Sequence, residues 1–398
     1  MNRTGRPRHR RRPPGRVLAV RWIGVLVVVA GIVWGATALA HAASHAHRSG
    51  QPTPTSAPGR QGKTKSPAVG VVETTTTVAP GPVTFSIVGD TELGDTPVLP
   101  ADPATYLDPV RGALAAQIVF ANLEGTLTNA TGSKCGTGST DCFAFRTPPG
   151  YAQYIRQAGF NILNSANNHS HDFGAQGVSD TSAALQAAGI VQAGLPGQIG
   201  YVHTGTTTVA FVDFAPYDTT NNLLDLATAK TLITQARARA NIVVVYMHAG
   251  AEGSQADHVT GAEETYLGED RGNPEAFADA AIDDGADMVV ASGPHVLRGM
   301  EFYNGHLIAY SLGNFAGYHN FGTGGNLSLS GILKVTLDGH GRFVQGTFVS
   351  LLLDGQGQPS VDPSDAAAHL VAQLSNQDFG PRAAVSPTGV ISPPATNG

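Results

Sequence analysis

Cysteine is almost absent from this 398-residue chain: Cys135 and Cys142 are the whole supply. Two thiols are too few to build a metal centre, so any metal chemistry has to rest on other donors. Outside a membrane, the pair reads as a disulfide closing a Gly/Ser/Thr-rich loop, with two free thiols as the alternative. Basic residues are scarce after residue 82. Twelve of the 24 Lys and Arg fall in the first 82 residues beside a single acid, Glu73, which leaves 12 basic and 29 acidic residues beyond and a formal charge there of −17. That balance disfavours direct contact with nucleic acid or another polyanion unless metal ions intervene, although it also serves solubility. Large apolar side chains are nearly missing from residues 44–82, which are rich in Pro, Thr, Ser and Gly and run Thr74 to Thr77 without a break. Such a composition cannot bury a core and predicts a disordered linker. No internal repeat is visible.

The N-terminus is different. Residues 1–21 hold eight arginines and no acid, and residues 22–43 are apolar or small except for Thr37 and His41. That run is long enough for a helix of about 20 residues to cross a bilayer. The basic flank predicts that it stays in the cytoplasm, giving a single-pass protein of the cell membrane with its C-terminal domain extracellular. A cleaved signal peptide is the rival reading, because Ala38-Leu39-Ala40 and Ala40-His41-Ala42 resemble small-residue cleavage sites.

From residue 83 apolar periodicity alternates between two and 3.6. Strands are predicted at Val83 to Val88, Gln117 to Ala121, Phe160 to Ser165, Thr207 to Phe214, Asn241 to Met247 and Ala286 to Ala291. Helices are predicted at Pro103 to Ala116, Gly150 to Ala158, Gly174 to Ala188, Leu223 to Ala240 and Pro274 to Asp284. This is βαβ rhythm. From Leu307 to Leu353 strands alone follow (Leu307 to Ser311, Gly331 to Leu337, Phe343 to Leu353), which suggests an antiparallel hairpin appended to the α/β domain. The domain is expected to end near residue 355, and residues 356–398 to form a helix and a loose tail.

Polar residues gather at strand ends, where loops expose side chains from a fixed backbone. The first predicted strand ends in Gly89-Asp90, the second in Asn122-Leu123-Glu124, whose alternate side chains share a face. The third leads into Asn167-Asn168-His169 with Asp172, two amides and an imidazole that are costly to bury without partners. Two later strands run into His248-Ala249-Gly250-Ala251-Glu252 and Gly293-Pro294-His295. Five strand ends each delivering an acid, an amide or an imidazole are explained most economically by a metal-binding crevice. Asn314 could touch substrate, or serve a structural turn that buries Phe315.

These motifs, together with Tyr310-Ser311-Leu312-Gly313-Asn314-Phe315, resemble the CapA/PgsA family of capsule and poly-gamma-glutamate synthesis proteins, relatives of the calcineurin-like metallophosphoesterases. The resemblance spans roughly residues 83–355. It implies an α/β fold, a four-layer α/β/β/α metallophosphoesterase-like sandwich preceded by a single N-terminal transmembrane helix. By the same resemblance Asp90, Glu124, Asn168, His248 and His295 would hold metal. His169 would protonate a leaving group, with Asp172 orienting it, and Asn122, Asn167, Glu252 and Asn314 would meet substrate. Two departures stand out: Gly293-Pro294-His295 replaces the His-Pro-His common in the family, and Glu92 stands where phosphoesterases carry a metal-binding histidine. Fewer nitrogen donors imply an oxygen-rich site for one or two divalent ions, Mn or Mg rather than Zn. The expected function is a membrane-anchored, metal-dependent hydrolase acting on an anionic envelope polymer or its precursor, with polymer synthase or export subunits as partners and no nucleic acid. The alternative is a non-hydrolytic accessory protein that binds nascent polymer in a synthesis or export complex.

Overall fold

The structure, a computed structural model, describes residues 78–136 and 142–394. The basic segment 1–21, the apolar stretch 22–43 and nearly all of the linker 44–82 lie outside the described residues. No described helix is long and apolar enough to cross a membrane.

Strands follow in the order β1 (Val83–Glu92), β2 (Ile118–Leu123), β3 (Ile162–Asn164), β4 (Val191–Ala193), β5 (Gly200–Thr204), β6 (Thr207–Phe214), β7 (Ile242–His248), β8 (Met288–Ser292), β9 (Met300–Tyr303), β10 (His306–Ala309), β11 (Asn314–Gly317), β12 (Leu329–Leu337), β13 (Phe343–Leu353), β14 (Pro359–Val361) and β15 (Val390–Ile391). The longer helices are α1 (Tyr151–Gln157), α2 (Gly174–Ala188), α3 (Leu226–Arg237), α4 (Pro274–Asp283) and α5 (Ala366–Phe379). One sheet runs β14-β13-β12-β1-β2-β3-β4, with β11 also paired to β1 and β15 to β13; the other runs β9-β10-β8-β7-β6-β5.

Period-two patterning explains the layers. Phe85, Ile87, Ile118, Phe120 and Ile162 of the first sheet meet Val209, Phe211, Val244, Tyr246, Met288 and Val290 of the second in one buried core. The intervening residues face outward: Val119, Ala121 and Leu163 onto Ile155 and Leu185 of α1 and α2, and Val243 and Val245 onto Leu232, Ile233 and Phe277 of α3 and α4. The order is therefore helices, sheet, sheet, helices. Phe120 stacks on Phe211 with centroids 5.1 Å apart, a pairing of about 0.5–1.5 kcal/mol beyond the area it buries. The helices begin where short polar side chains can cap them. Asp225 accepts from Thr228 N at 3.1 Å and Asn273 from Ala276 N at 3.0 Å, satisfying amides that have no partner within the helix.

Three expectations differ from what is found. Pro103 to Ala116 is not a continuous helix; only Asp108–Arg111 forms a turn of one, because Pro109 offers no N–H and its ring would collide with the preceding turn. The hairpin of β12 and β13 is not an appendage. Val83 to Ile87 of β1 pair antiparallel with Leu333 to Leu337, so Leu333, Val335 and Leu337 complete the core between the sheets. Nor is the C-terminal segment loose: β15 pairs with Gly346 and Thr347 of β13, and Ala384 N donates to Met300 O at 3.1 Å. Those backbone bonds and buried Val385 and Ile391 outweigh a turn-forming composition.

Candidate metal centre

The centre arises where inward-facing rows outrun the apolar core. Along β2 the inward residues are Ile118, Phe120 and then Asn122; along β3, Ile162 and Asn164; along β7, Val244, Tyr246 and His248; along β8, Met288, Val290 and Ser292. Parallel register aligns them. Asp90 stands opposite Asn122, Asn122 opposite Asn164, and in the other sheet Ser292 opposite His248. The two rows face each other, and the Ser292 hydroxyl donates to Asp90 Oδ1. All five of these side chains are fully buried.

Asn122 organises the floor. Its Nδ2 donates to Asp90 Oδ1 at 2.7 Å and to Glu124 Oε2, while its Oδ1 accepts from Asn164 Nδ2 at 2.6 Å and Asn167 Nδ2 at 2.8 Å. Asn167 also donates to Leu123 O at 2.8 Å and accepts from His169 N at 2.9 Å. Asn122 and Asn167, expected at substrate, are thus buried and fully engaged in bracing the carboxylates and the His169 loop.

One ligand atom from each of Asp90, Glu124 and His248 lies within 4.8 Å of the others. Glu124 Oε1 and His248 Nε2 are buried without a hydrogen-bond partner and lie 3.7 Å apart. Burying such atoms unsatisfied is expensive, so this donor set fits a divalent cation. The expected ligand Asn168 also holds a buried, unpartnered Oδ1 in the adjoining loop. His295 is not one of the trio but contacts it at Asp90: its Nδ1 lies 3.1 Å from Asp90 Oδ2 and 2.9 Å from Asn314 Oδ1. Its backbone holds φ at +60°, a conformation that costs a non-glycine residue roughly 1–3 kcal/mol and is retained where surroundings demand it.

The electrostatics are those of a site short of positive charge. Burial and the charge of Asp90 push Glu124 well above the usual carboxylate range. Burial would raise Asp90 too, but the hydrogen bond and charge of His295, with help from His248 and Ser292, bring it below its ordinary value. Burial holds His248 down to about 3. For His295 burial acts downward and is overcome by Asp90, whose hydrogen bond and charge carry it up to about 10.

Above the floor, His169 Nδ1 lies 2.8 Å from Asp172 Oδ2, and its Nε2 is 3.9 Å from Glu124 Oε1. Glu252 reaches Arg271 at 2.9 Å and His295 Nε2 at 3.8 Å. His169, Glu252 and Phe143 border two cavities. One, of about 220 Å³, adds Phe145, His295, Asn314 and Phe321; the other, of about 490 Å³, adds Lys134, Asn168, Tyr217 and Arg271. The backbone of Asn314, opposite Asp90 in register, completes the wall. Glu92 is buried, and its carboxylate lies over Gly125, where any Cβ would meet Oε2 at 2.2 Å.

Asn164, Ser292 and Tyr246 were not among the expected site residues. The first two terminate inward-facing rows, so strict period-two counting reaches them. Tyr246, whose hydroxyl bonds Ser292, reads as core in sequence because its ring is core. Cys135 and Cys142 form a disulfide.

The family model described as bacterial capsule synthesis protein PGA_cap matches residues 84–319, more than half of the chain. Among curated proteins, the PGA biosynthesis protein CapA of Bacillus subtilis (strain 168) is 36% identical over 178 residues, covering 40% of this chain and 43% of its own length. The capsule biosynthesis protein CapA of Bacillus anthracis is 31% identical over 184 residues, 40% of this chain and 41% of its own. The chain thus spans less than half the length of either relative. Among solved structures, a 5'-nucleotidase precursor from Thermus thermophilus aligns with TM-score 0.37 and 14% identity over 73% of this chain and 58% of its own. Purple acid phosphatase from yellow lupin aligns with TM-score 0.36 and 11% identity over 71% and 53%; both superpositions are too loose to define the fold by themselves. With a family model covering its α/β body and the motifs that line the centre, this chain belongs to the bacterial capsule synthesis protein PGA_cap family.

Proposed function

We propose that the protein is a metal-dependent hydrolase of metallophosphoesterase-like character, acting outside the cell membrane on an anionic envelope polymer or on its phosphorylated or amide-linked precursor. The carrying observation is the pair of buried, unpartnered ligand atoms, Glu124 Oε1 and His248 Nε2, directly below the His169–Asp172 pair. The two Bacillus relatives, named for PGA and capsule biosynthesis, support the choice of an envelope polymer. In this reading residues 22–43 anchor the chain, and polymer synthase or export subunits are its neighbours.

Asp90, Glu124 and His248 would hold the cation, with Asn168 beside them. A bound divalent ion supplies Lewis acidity toward a carbonyl or phosphoryl oxygen. Mn or Mg suits two carboxylates and one imidazole better than Zn. Asp172 accepts from His169 Nδ1 and so directs Nε2 into the cleft, where it carries a proton to the departing group. The tilted contact of Phe145 with His169, 4.6 Å between centroids, limits rotation of that ring. His295, held positive beside Asp90, offsets negative charge at the floor and lets an anionic substrate approach.

The test is elemental analysis of the purified full-length protein, paired with hydrolysis assays on phosphodiester and γ-glutamyl amide substrates. About one divalent ion per chain is expected, and His169→Ala should lose roughly 10²-fold or more in kcat while keeping its metal. A metal-free, inert protein would sink this reading in favour of a polymer-binding accessory role.

A further inference from the structure

The segment bearing the disulfide grips the His169 loop from two sides. On one side the Lys134 backbone N–H donates to Asp172 O at 2.7 Å, and Lys134 Nζ donates to Asn168 O at 2.9 Å. The same ammonium lies 2.7 Å from Asp172 Oδ1. On the other side Phe145 N donates to Asp172 Oδ2 at 2.6 Å, and its ring lies against His169. Cys135, next to Lys134, is bonded to Cys142, three residues before Phe145. Asp172 has no exposed side-chain surface, and Lys134 is the sole Lys or Arg paired with it among the described residues. A buried carboxylate left without a countercharge is unfavourable and tends to move or take up a proton.

We infer that Lys134 is a positioning residue for proton transfer, fixing Asp172 and the Asn168–Asp172 loop so that His169 Nε2 faces the reacting bond, and that the Cys135–Cys142 bond acts through it. The inference rests on the role proposed above for His169. Its geometry stands separately: all three Lys134 contacts fall on the Asn168–Asp172 loop, and its side chain borders the larger cavity beside His169. By closing the loop, the disulfide reduces the freedom of the chain carrying Lys134, so the ammonium needs less ordering to meet its targets.

The experiment compares metal-loaded, full-length wild type with Lys134→Met, Lys134→Arg, the Cys135→Ser/Cys142→Ser pair and that pair combined with Lys134→Met. Lys134→Met should lower kcat by about 10- to 100-fold, the scale on which a misplaced group reduces turnover, with KM and metal content little changed. Lys134→Arg should recover most of the loss. Loss of the disulfide should lower kcat in the wild type and add little in Lys134→Met, because the two act in series. Hydrogen exchange at the amides of residues 168–172 should quicken in Lys134→Met whether or not a substrate has been found. Wild-type turnover and exchange in Lys134→Met would overturn the inference, as would fully additive effects of Lys134 and the disulfide. If the wild type hydrolyses nothing, the proposed function falls, and the exchange comparison alone decides whether Lys134 braces the loop.

Discussion

Replacing Asn122 by Ala is the sharpest probe of how the floor is built. The change removes two donor contacts to carboxylates, at Asp90 Oδ1 and Glu124 Oε2, and two acceptor contacts, from Asn164 and Asn167. Asn164 retains Ala166 O, and Asn167 retains Leu123 O, so the principal loss falls on the carboxylates. Hydrogen bonds to charged groups contribute about 1.5–3 kcal/mol each and neutral ones about 0.5–1.5. With Asp90 held low and Glu124 held well above the usual carboxylate range, one charged and one neutral bond are lost, about 2–4.5 kcal/mol. At about 2 °C per kcal/mol for a domain of this size, Tm should fall by roughly 4–9 °C. Calorimetry of the metal-free protein reads this directly. Asn122→Asp makes the contrast: it retains acceptors for Asn164 and Asn167 but sets a third carboxylate beside two others. It should therefore be unstable without metal and recover strongly when Mn²⁺ or Mg²⁺ is added. A Tm for Asn122→Ala within about 2 °C of wild type would refute the view that this amide supports the centre.

Gly89 touches the backbone of the Gly313 turn so closely that a Cβ would sit 1.9 Å from Gly313 O; Gly89→Ala should break the 2.9 Å bond from Asp90 N to Gly313 O and cost about 1–3 kcal/mol, read by urea denaturation. In the metal-free protein His248, held down to about 3, keeps its stabilising contribution above the unfolded histidine value and loses it as pH falls from about 6.5 towards 3. His295, carried up to about 10, has the opposite sign: its contribution is full below about 6.5 and lost as pH rises towards 10. A stability profile that stays flat from pH 4 to 9 would contradict both. A saturating divalent ion at 100 times its Kd should add about 2.7 kcal/mol to wild type, and His248→Ala should lose most of that gain; equal gains in the two proteins would exclude His248 as a ligand.

Much of the centre was legible because a strand alternates its faces. Asp90, His248 and the strand part of the Asn122-Leu123-Glu124 motif lie on or beside inward rows that begin as Phe, Ile and Val, so a polar residue at the end of such a row has to meet something polar. The same reasoning reaches Asn164 and Ser292. It does not reach Lys134 or Phe145, which flank the Cys135–Cys142 disulfide in sequence without apolar periodicity. Nor does it separate Asn122 and Asn167, which are structural, from side chains open to the cleft: an amide looks the same in sequence whether its partners are protein or ligand.

The sequence by itself determined the alternating βαβ body, the strand ends at which chemistry collects, and the composition of the N-terminal 82 residues, because these depend on local periodicity and residue type. Tertiary structure alone decided that the last hairpin joins the first sheet, that His295 rests on Asp90 rather than with Glu124 and His248, and that Lys134 reaches Asp172. Those outcomes depend on which distant strands become neighbours, and pairing across two facing sheets is set by the packing of the whole core rather than by any short stretch of chain.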